Sequence, residues 1–78
     1  MDIKVYGPGC VKCHQMHEMV LQVLAEQGVA ADLEYVTDMT EISKAGIMRT
    51  PALVVDGKIV AAGRLPKKKE MAKLLASG

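Results

Sequence analysis

Apolar and polar residues alternate at the start of the chain, from Asp2 to Tyr6. This period of two predicts a β-strand. From Cys10 to Gln27 the apolar positions instead recur every three or four residues, which predicts one face of a long helix that Gly28 ends. Residues 31–36 again have the pattern of a strand. A strand, a helix and a strand in this order predict two parallel strands joined by a right-handed crossover.

The second half of the chain predicts shorter elements. Asp38, followed three residues later by Glu41, resembles a capping box at the start of a short helix that ends at Gly46. The apolar run Ala52–Val55 predicts a third strand.

A hairpin and a last helix complete the predicted elements. The dipeptide Asp56-Gly57 is a strong hairpin signal, so residues 59–62 should pair antiparallel with the third strand. Pro66 is predicted to open the last helix, whose apolar stripe is Met71, Leu74 and Leu75. The order βαβ-α-ββα predicts an α/β fold with a four-stranded mixed sheet flanked by three helices. The 78 residues are expected to form a single domain, 1–78.

Composition changes the expected core and excludes some partners. Half of the chain is apolar, yet Phe and Trp are absent, Tyr occurs twice and Met six times. Met is therefore expected to fill the gaps that aromatic rings would otherwise occupy. A formal net charge of +1 and two aromatic residues offer neither a strong field nor a stacking platform for nucleic acid, so we expect no such partner.

The apolar pattern also bears on location. No apolar run approaches the length of a membrane span, so we expect no membrane association. Met1 is followed at once by the strand-like run, rather than by a charged segment and an apolar core as in a signal peptide. The expected location is the cytoplasm, where a disulfide is usually transient and catalytic. We also expect the chain to be a monomer.

The segment GPGCVKCH, Gly7 to His14, carries the candidate chemistry. Cys-x-x-Cys occurs as a redox dithiol, as half of a metal site or, with a following His, as an attachment site for c-type haem. The glycines and proline before Cys10 are predicted to form a loop that lifts it to the surface. Because Cys10 is predicted to start the helix, the free N–H groups of the first turn, aided by Lys12, favour its thiolate.

Cys13 lies one helical turn after Cys10 and on the apolar stripe of the helix, so its sulfur should be shielded and within bonding reach. An exposed thiolate beside a covered thiol suits thiol–disulfide exchange, in which one sulfur attacks and the other releases the mixed disulfide. We therefore predict a thiol–disulfide oxidoreductase with Cys10 as the nucleophile and Cys13 as the resolving thiol. It would need no cofactor and no resident metal. The plain alternative is two buried cysteines without chemistry.

Metal binding is the alternative function. A metal- or metalloid-binding module would use Cys10, Cys13, His14 and His17. On one helix, however, Cys10 and His14 share one side. Cys13 and His17 share another, so a single ion would require an unwound helix or a second chain. The haem alternative needs a distant axial ligand such as a methionine, and it conflicts with the predicted hairpin and the lack of a leader.

The order of strand, GPGCVKC, helix and TPALVVDGKIVAAGRLP resembles the thioredoxin-like superfamily, in particular its small, glutaredoxin-sized prokaryotic redox-active disulfide proteins. The resemblance covers essentially the whole chain and implies a thioredoxin-like fold. It also implies that Pro51 follows a cis peptide bond and packs against the dithiol, whereas the residues alone would equally fit the start of an edge strand. Thr50 would present its backbone to an extended substrate. The predicted substrate-binding residues are Thr50, Pro51, Gly9, Val11 and Lys12.

Some positions depart from the superfamily. Thioredoxin itself has Trp before the first Cys and Gly-Pro between the two, where this chain has Gly9 and Val11-Lys12. Its buried acid has no clear counterpart here. Glutaredoxins hold glutathione with an aromatic residue in the motif loop and an Asp after Gly-Gly, where this chain reads Ala62-Gly63-Arg64-Leu65. We therefore expect protein disulfides as substrates, a thioredoxin-reductase-like flavoenzyme as electron donor, and little or no reduction by glutathione.

A run of lysines, Lys67 to Lys69, falls where the last helix is predicted to begin, so its charge opposes the helix dipole. A solvated face is the plain interpretation, and a docking patch for an acidic partner is the alternative.

Overall fold

The computed structural model describes residues 2–76. Within this part of the chain, four strands and three helices follow one another in the predicted order. They are β1 (Asp2–Tyr6), α1 (Val11–Gln27), β2 (Asp32–Val36), α2 (Met39–Lys44), β3 (Ala52–Val55), β4 (Lys58–Ala62) and α3 (Lys68–Ala76).

The strands form one mixed sheet in the order β2-β1-β3-β4. β1 runs parallel to β2 and antiparallel to β3, and β3 pairs antiparallel with β4. The predicted α/β fold with a mixed sheet is thus confirmed. Its register matters for the site, because Tyr6 at the end of β1 pairs with Ala52 at the start of β3. This pairing brings Gly7, just after β1, next to Pro51, just before β3.

The larger core cluster lies between the sheet and the helices α1 and α3. Alternation in β1 directs Ile3 and Val5 to this face, and both are fully buried. Burial of one aliphatic side chain of this size stabilises a fold by about 1.5–3 kcal/mol, so this cluster supplies much of the stability. Methionine fills part of the interior, since Met16 and Met71 are fully buried. The other buried members are Val20, Val23, Leu24, Leu53, Val55, Ala61 and Leu75.

A smaller apolar cluster lies on the opposite face of the sheet, with Ile42 of α2 packed in it. Every residue of β3 is buried, because this central strand is covered on both faces. Helices α1 and α3 therefore cover one face and α2 covers part of the other. The remaining members of the smaller cluster are Tyr6, Ile47, Ala52 and Val54.

The ends of α1 agree with the sequence. Cys10 is the N-cap residue, with an extended backbone, and Gly28 closes the helix in the left-handed conformation with a φ of 66°. The N–H of Gly28 reaches the carbonyl oxygens of Leu24 and Ala25, which is the common way to satisfy the last turn of a helix.

The start of α2 differs in detail from the predicted capping box. Asp38 is the N-cap, and its Oδ1 accepts a hydrogen bond from the N–H of Thr40 at 2.8 Å. The Glu41 carboxylate lies 3.9 Å from the Lys44 ammonium instead of reaching back to Asp38. Asp38 therefore caps α2 as predicted, but through the second N–H of the helix rather than the third N–H that a capping box uses.

The prediction that Pro66 opens the last helix is wrong, because α3 begins at Lys68. The N–H of Met71 donates to the carbonyl oxygen of Lys67 at 2.9 Å, which makes Lys67 the capping residue. Pro66 is fully buried two residues before the helix, so packing fixes its position.

Two strand boundaries move by one residue. β2 begins at Asp32, which pairs with Asp2, and β4 begins at Lys58, which pairs with Val55.

None of the helices between residues 2 and 76 is both long enough and apolar enough to cross a membrane.

Candidate active site

The two cysteines lie at the junction of β1 and α1 and form a disulfide, with their Cα atoms 5.0 Å apart. The Cys10 sulfur also accepts a hydrogen bond from the N–H of Cys13 at 3.3 Å, so the sulfur itself caps the helix. Cys10 is exposed, whereas Cys13 has no exposed surface. The two sulfurs therefore differ in access and in their contact with the helix terminus, as the spacing predicts.

Gly7 packs directly against the Cys13 side chain. A Cβ at Gly7 would overlap the Cys13 sulfur and would lie 3.0 Å from the Cys13 Cβ and 3.9 Å from the Pro51 Cα. The Gly7 N–H donates to the carbonyl oxygen of Val36 at 3.0 Å, which ties this residue to the end of β2. Sequence reasoning placed Gly7 only in the loop below Cys10, because its contact with Pro51 depends on the register of β1 and β3.

The Thr50-Pro51 segment lies on the other side of Gly7. The peptide bond between these two residues is cis, and Pro51 is fully buried while Thr50 is half-buried. The Pro51 carbonyl oxygen accepts a hydrogen bond from the N–H of Gly63 at 3.0 Å. Pro51 thus lies between Gly7, which packs against Cys13, and the turn that follows β4.

The other predicted substrate-binding residues surround Cys10. Val11, in the first turn of α1, is 73% exposed, and Lys12 is also exposed. Gly9 is half-buried and has a φ of 95°, a conformation that favours glycine in the loop before the helix. These three residues and the Thr50-Pro51 segment lie at the same end of the sheet as the dithiol.

Sequence reasoning gave neither of the two residues before Thr50 a role in this site; it considered Met48 only as a possible axial ligand in the haem alternative. Met48 is 95% exposed, and the exposed Arg49 lays its side-chain stem across Gly63. Their only sequence signal is their position directly before Thr50-Pro51.

The histidines of the proposed metal site contact an aromatic ring instead. The His17 ring stacks on Tyr35 with ring centroids 4.9 Å apart, and the His14 ring meets Tyr35 edge-on at 5.6 Å. The Tyr35 hydroxyl is buried and has no hydrogen-bond partner within residues 2–76, and burial raises the pKa of Tyr35. Between residues 2 and 76 there is no group of three or more His, Cys, Asp or Glu side chains placed to hold a metal ion.

The charged side chains of the described residues lie on the surface of the protein. No charged residue is buried in the described part of the chain. Lys68, in the lysine run, contacts Glu26 near the end of α1 at 2.6 Å, so at least this part of the run lies away from the dithiol.

An exposed sulfur that shares a disulfide with an enclosed one can exchange that bond with a partner, so the geometry defines a thiol–disulfide oxidoreductase. Comparison with known proteins gives the family. A family model described as "Thioredoxin domain" matches residues 1–76, and the chain therefore belongs to the thioredoxin domain family.

Two relatives carry the name thioredoxin. One, from Methanothermobacter thermautotrophicus, is 34% identical over 76 residues, which cover 97% of this chain and 99% of the relative. Another, from Methanocaldococcus jannaschii, is 36% identical over 75 residues, which cover 96% of this chain and 86% of the relative. These matches confirm the predicted superfamily and the predicted enzyme class. They do not favour the metal-binding alternative.

Proposed function

We propose that this thioredoxin-family protein reduces protein disulfides, with Cys10 as the nucleophile and Cys13 as the resolving thiol. The observation that carries this assignment is the contrast in exposure between the two sulfurs, since only the exposed Cys10 can meet a partner's disulfide. Relatives named thioredoxin support a protein disulfide as the substrate.

The reaction has two exchange steps. The Cys10 thiolate attacks one sulfur of the substrate disulfide, a bond forms between the two, and the other substrate sulfur leaves as a thiolate. The Cys13 thiolate then attacks the Cys10 sulfur and releases the second substrate sulfur. The substrate gains two electrons, and the protein keeps the Cys10–Cys13 disulfide. The Cys13 N–H, which contacts the Cys10 sulfur at 3.3 Å, stabilises negative charge there.

Cys13 must lose its proton before the second step. Because residues 2–76 hold no buried charged side chain, that proton passes to water or to the departing substrate sulfur rather than to an enzyme carboxylate. This differs from thioredoxin itself, whose buried acid has no clear counterpart in this sequence.

The substrate is proposed to lie in a groove formed by Gly9, Val11, Lys12, Thr50 and Pro51. The half-buried Thr50 offers backbone groups to an extended segment beside the dithiol. The exposed Val11 side chain borders the groove and supplies an apolar contact.

The electron donor is proposed to be a thioredoxin-reductase-like flavoenzyme, with glutathione acting weakly or not at all. In glutaredoxins an Asp in the loop after the last strand holds glutathione. The corresponding loop here carries Arg64, whose guanidinium group is bonded to Glu70 at 3.0 Å. We further propose that the protein acts as a monomer in the cytoplasm, a reducing compartment that keeps such a dithiol in turnover.

Single replacement of the cysteines tests these roles. Cys13→Ser keeps the attacking thiolate and loses the release step, so it should accumulate a mixed disulfide with insulin that reductant dissolves on a gel. Cys10→Ser is the matched control. It should trap no substrate and should react with iodoacetamide at neutral pH at least about tenfold more slowly than Cys13→Ser, because its remaining thiol is enclosed.

Equal trapping by the two variants, or none by Cys13→Ser, would contradict the assignment of nucleophile and resolving thiol. Zinc retained by the native protein and lost from both variants, without trapping by either, would support the metal-binding module instead.

A further inference from the structure

Arg49 is a cation beside the proposed substrate groove that the exchange steps do not use. Its stem is seated on a turn, since a Cβ at Gly63 would lie only 2.9 Å from the Arg49 Cβ and Cδ atoms. Gly63 has a φ of 77°, and its N–H is bonded to the Pro51 carbonyl oxygen at 3.0 Å. The stem of Arg49 therefore rests on the same turn that is hydrogen-bonded to Pro51.

The guanidinium group of Arg49 has no hydrogen-bond or ion-pair partner among residues 2–76. The neighbouring Arg64, by contrast, is bound by both carboxylate oxygens of Glu70. The Arg49 charge is therefore available to a group that comes from outside.

Arg49 is also close enough to act on a bound segment. Consecutive Cα atoms are at most about 3.8 Å apart, so the Arg49 Cα lies within about 7.6 Å of the Pro51 Cα. A polypeptide lying along Thr50 and Pro51 would thus bring its side chains within reach of the guanidinium group. A guanidinium group can bind a carboxylate through two parallel hydrogen bonds. Because the aliphatic part of the Arg49 side chain already packs on Gly63, it loses less conformational entropy on binding.

We propose that Arg49, aided by the exposed Lys12 between the two cysteines, selects protein disulfides that carry Asp or Glu next to the reacting cysteine. The inference rests on the proposed function, because it names the preferred substrates of the same groove. A charge at the rim of an interface acts mainly on the rate of association and makes that rate depend on salt.

The test uses three peptides with an internal disulfide that differ only in the residue after the attacked cysteine, which is Glu, Gln or Lys. The fully reduced protein reacts once with each peptide, and the second-order rate constant is measured by acid quenching and chromatography, because the chain has no Trp to report the reaction by fluorescence. Each rate is divided by that of the same peptide with dithiothreitol, which removes intrinsic differences between the peptides.

The native protein should react about two- to fivefold faster with the Glu peptide than with the Gln peptide, as for one exposed ion pair, and slowest with the Lys peptide. In 0.5 M salt this preference should shrink towards one, because the charges are screened. Arg49→Gln should lose most of the preference while its Gln-peptide rate stays unchanged. Lys58→Gln makes the same change in charge at the opposite end of the sheet and should keep the native preference.

Three results would overturn the proposal: no Glu preference in the native protein, an undiminished preference in Arg49→Gln, or equal loss in Lys58→Gln. A fourth contrary result concerns Arg49→Gln alone. Its rates would fall equally for all three peptides, and its rate of alkylation by iodoacetamide at neutral pH would fall as well. Arg49 would then act on the Cys10 thiolate and not on the substrate. Failure of the proposed function is distinguishable, since the Gln peptide would then react no faster with the native protein than with Cys10→Ser.

Discussion

Gly7 is the position where the dithiol depends most directly on the absence of a side chain. Its φ is not positive, so alanine fits its backbone, and only the space beside the Cys13 sulfur opposes a Cβ. The Cys13 side chain cannot move away freely, because it has no exposed surface. Gly7 therefore limits where the Cys13 sulfur can lie.

Gly7→Ala should destabilise the protein by about 1–3 kcal/mol, the usual effect of overpacking a well-filled interior. It should also slow turnover with insulin, because the Cys13 sulfur is displaced. Guanidinium denaturation of the oxidised and reduced forms and an insulin assay measure the two effects.

Gly46→Ala is the matched control for this prediction. It strains a backbone with a φ of 77° but meets no atom within 4 Å, so it should lower stability and leave turnover unchanged. Native stability and native turnover in Gly7→Ala would show that the sulfur adjusts without loss.

Some residues of the site can be recognised from their neighbours in the sequence, whereas others can be recognised only from contacts between distant segments. The motif itself shows Cys10 and Cys13, and helix periodicity alone predicts which of them is covered. The contact of Gly7 with Cys13 and Pro51, and the position of Arg49 on Gly63, depend on which strands pair and in which register. No local pattern encodes that register, so these roles became visible only in three dimensions.

Among the elements, the link between β4 and α3 carries a defined ion pair. Arg64 binds both carboxylate oxygens of Glu70, and the hydrogen bond from Arg64 lowers the pKa of Glu70 below its usual value. A carboxyl group whose pKa is lower in the folded state stabilises the fold above its unfolded pKa. That contribution is lost as the pH falls through the lowered folded value.

Arg64→Gln should therefore be slightly less stable than the native protein near neutral pH and equally stable at a pH below the lowered pKa of Glu70. Both side chains are largely exposed, so the difference should be small. Thermal unfolding of the two proteins across an acid series measures it, and an NMR titration should show the Glu70 pKa returning to its usual value in Arg64→Gln. A difference in stability that stays constant down to low pH would mean that Arg64 acts through packing.

Strands and helices were predictable where a single period or cap controls them. The stripe of α1 and its closure by Gly28 are local properties and were predicted correctly. The start of α3 was not, because Pro66 is held by burial in the tertiary fold and the helix begins only at Lys68. The extra residue of β4 has the same origin, since pairing with Val55 recruits Lys58 across the hairpin.

At the scale of the whole molecule, the proposed electron donor can be tested by comparing two reducing systems. NADPH oxidation coupled to insulin reduction should be at least about tenfold faster with a thioredoxin-reductase-type flavoenzyme than with glutathione and its reductase, because a dithiol donor matches this dithiol. The segment after β4, where glutaredoxins carry an Asp for glutathione, here carries Arg64 bound to Glu70.

Cys10→Ser gives the background of both assays, and a glutaredoxin shows that the glutathione system is active. Comparable rates with the two donors would contradict this choice of reductant.

The strand order has a consequence for how the site is assembled during folding. The Cys10–Cys13 disulfide joins residues only three apart, a closure that an unfolded chain also makes readily. The groove proposed beside it requires the Tyr6–Ala52 pair, which joins segments far apart in the sequence and therefore costs more loop-closure entropy. Counting thiols therefore cannot distinguish a native sample from a misfolded one, whereas substrate turnover can, because it requires chains whose central strands have paired.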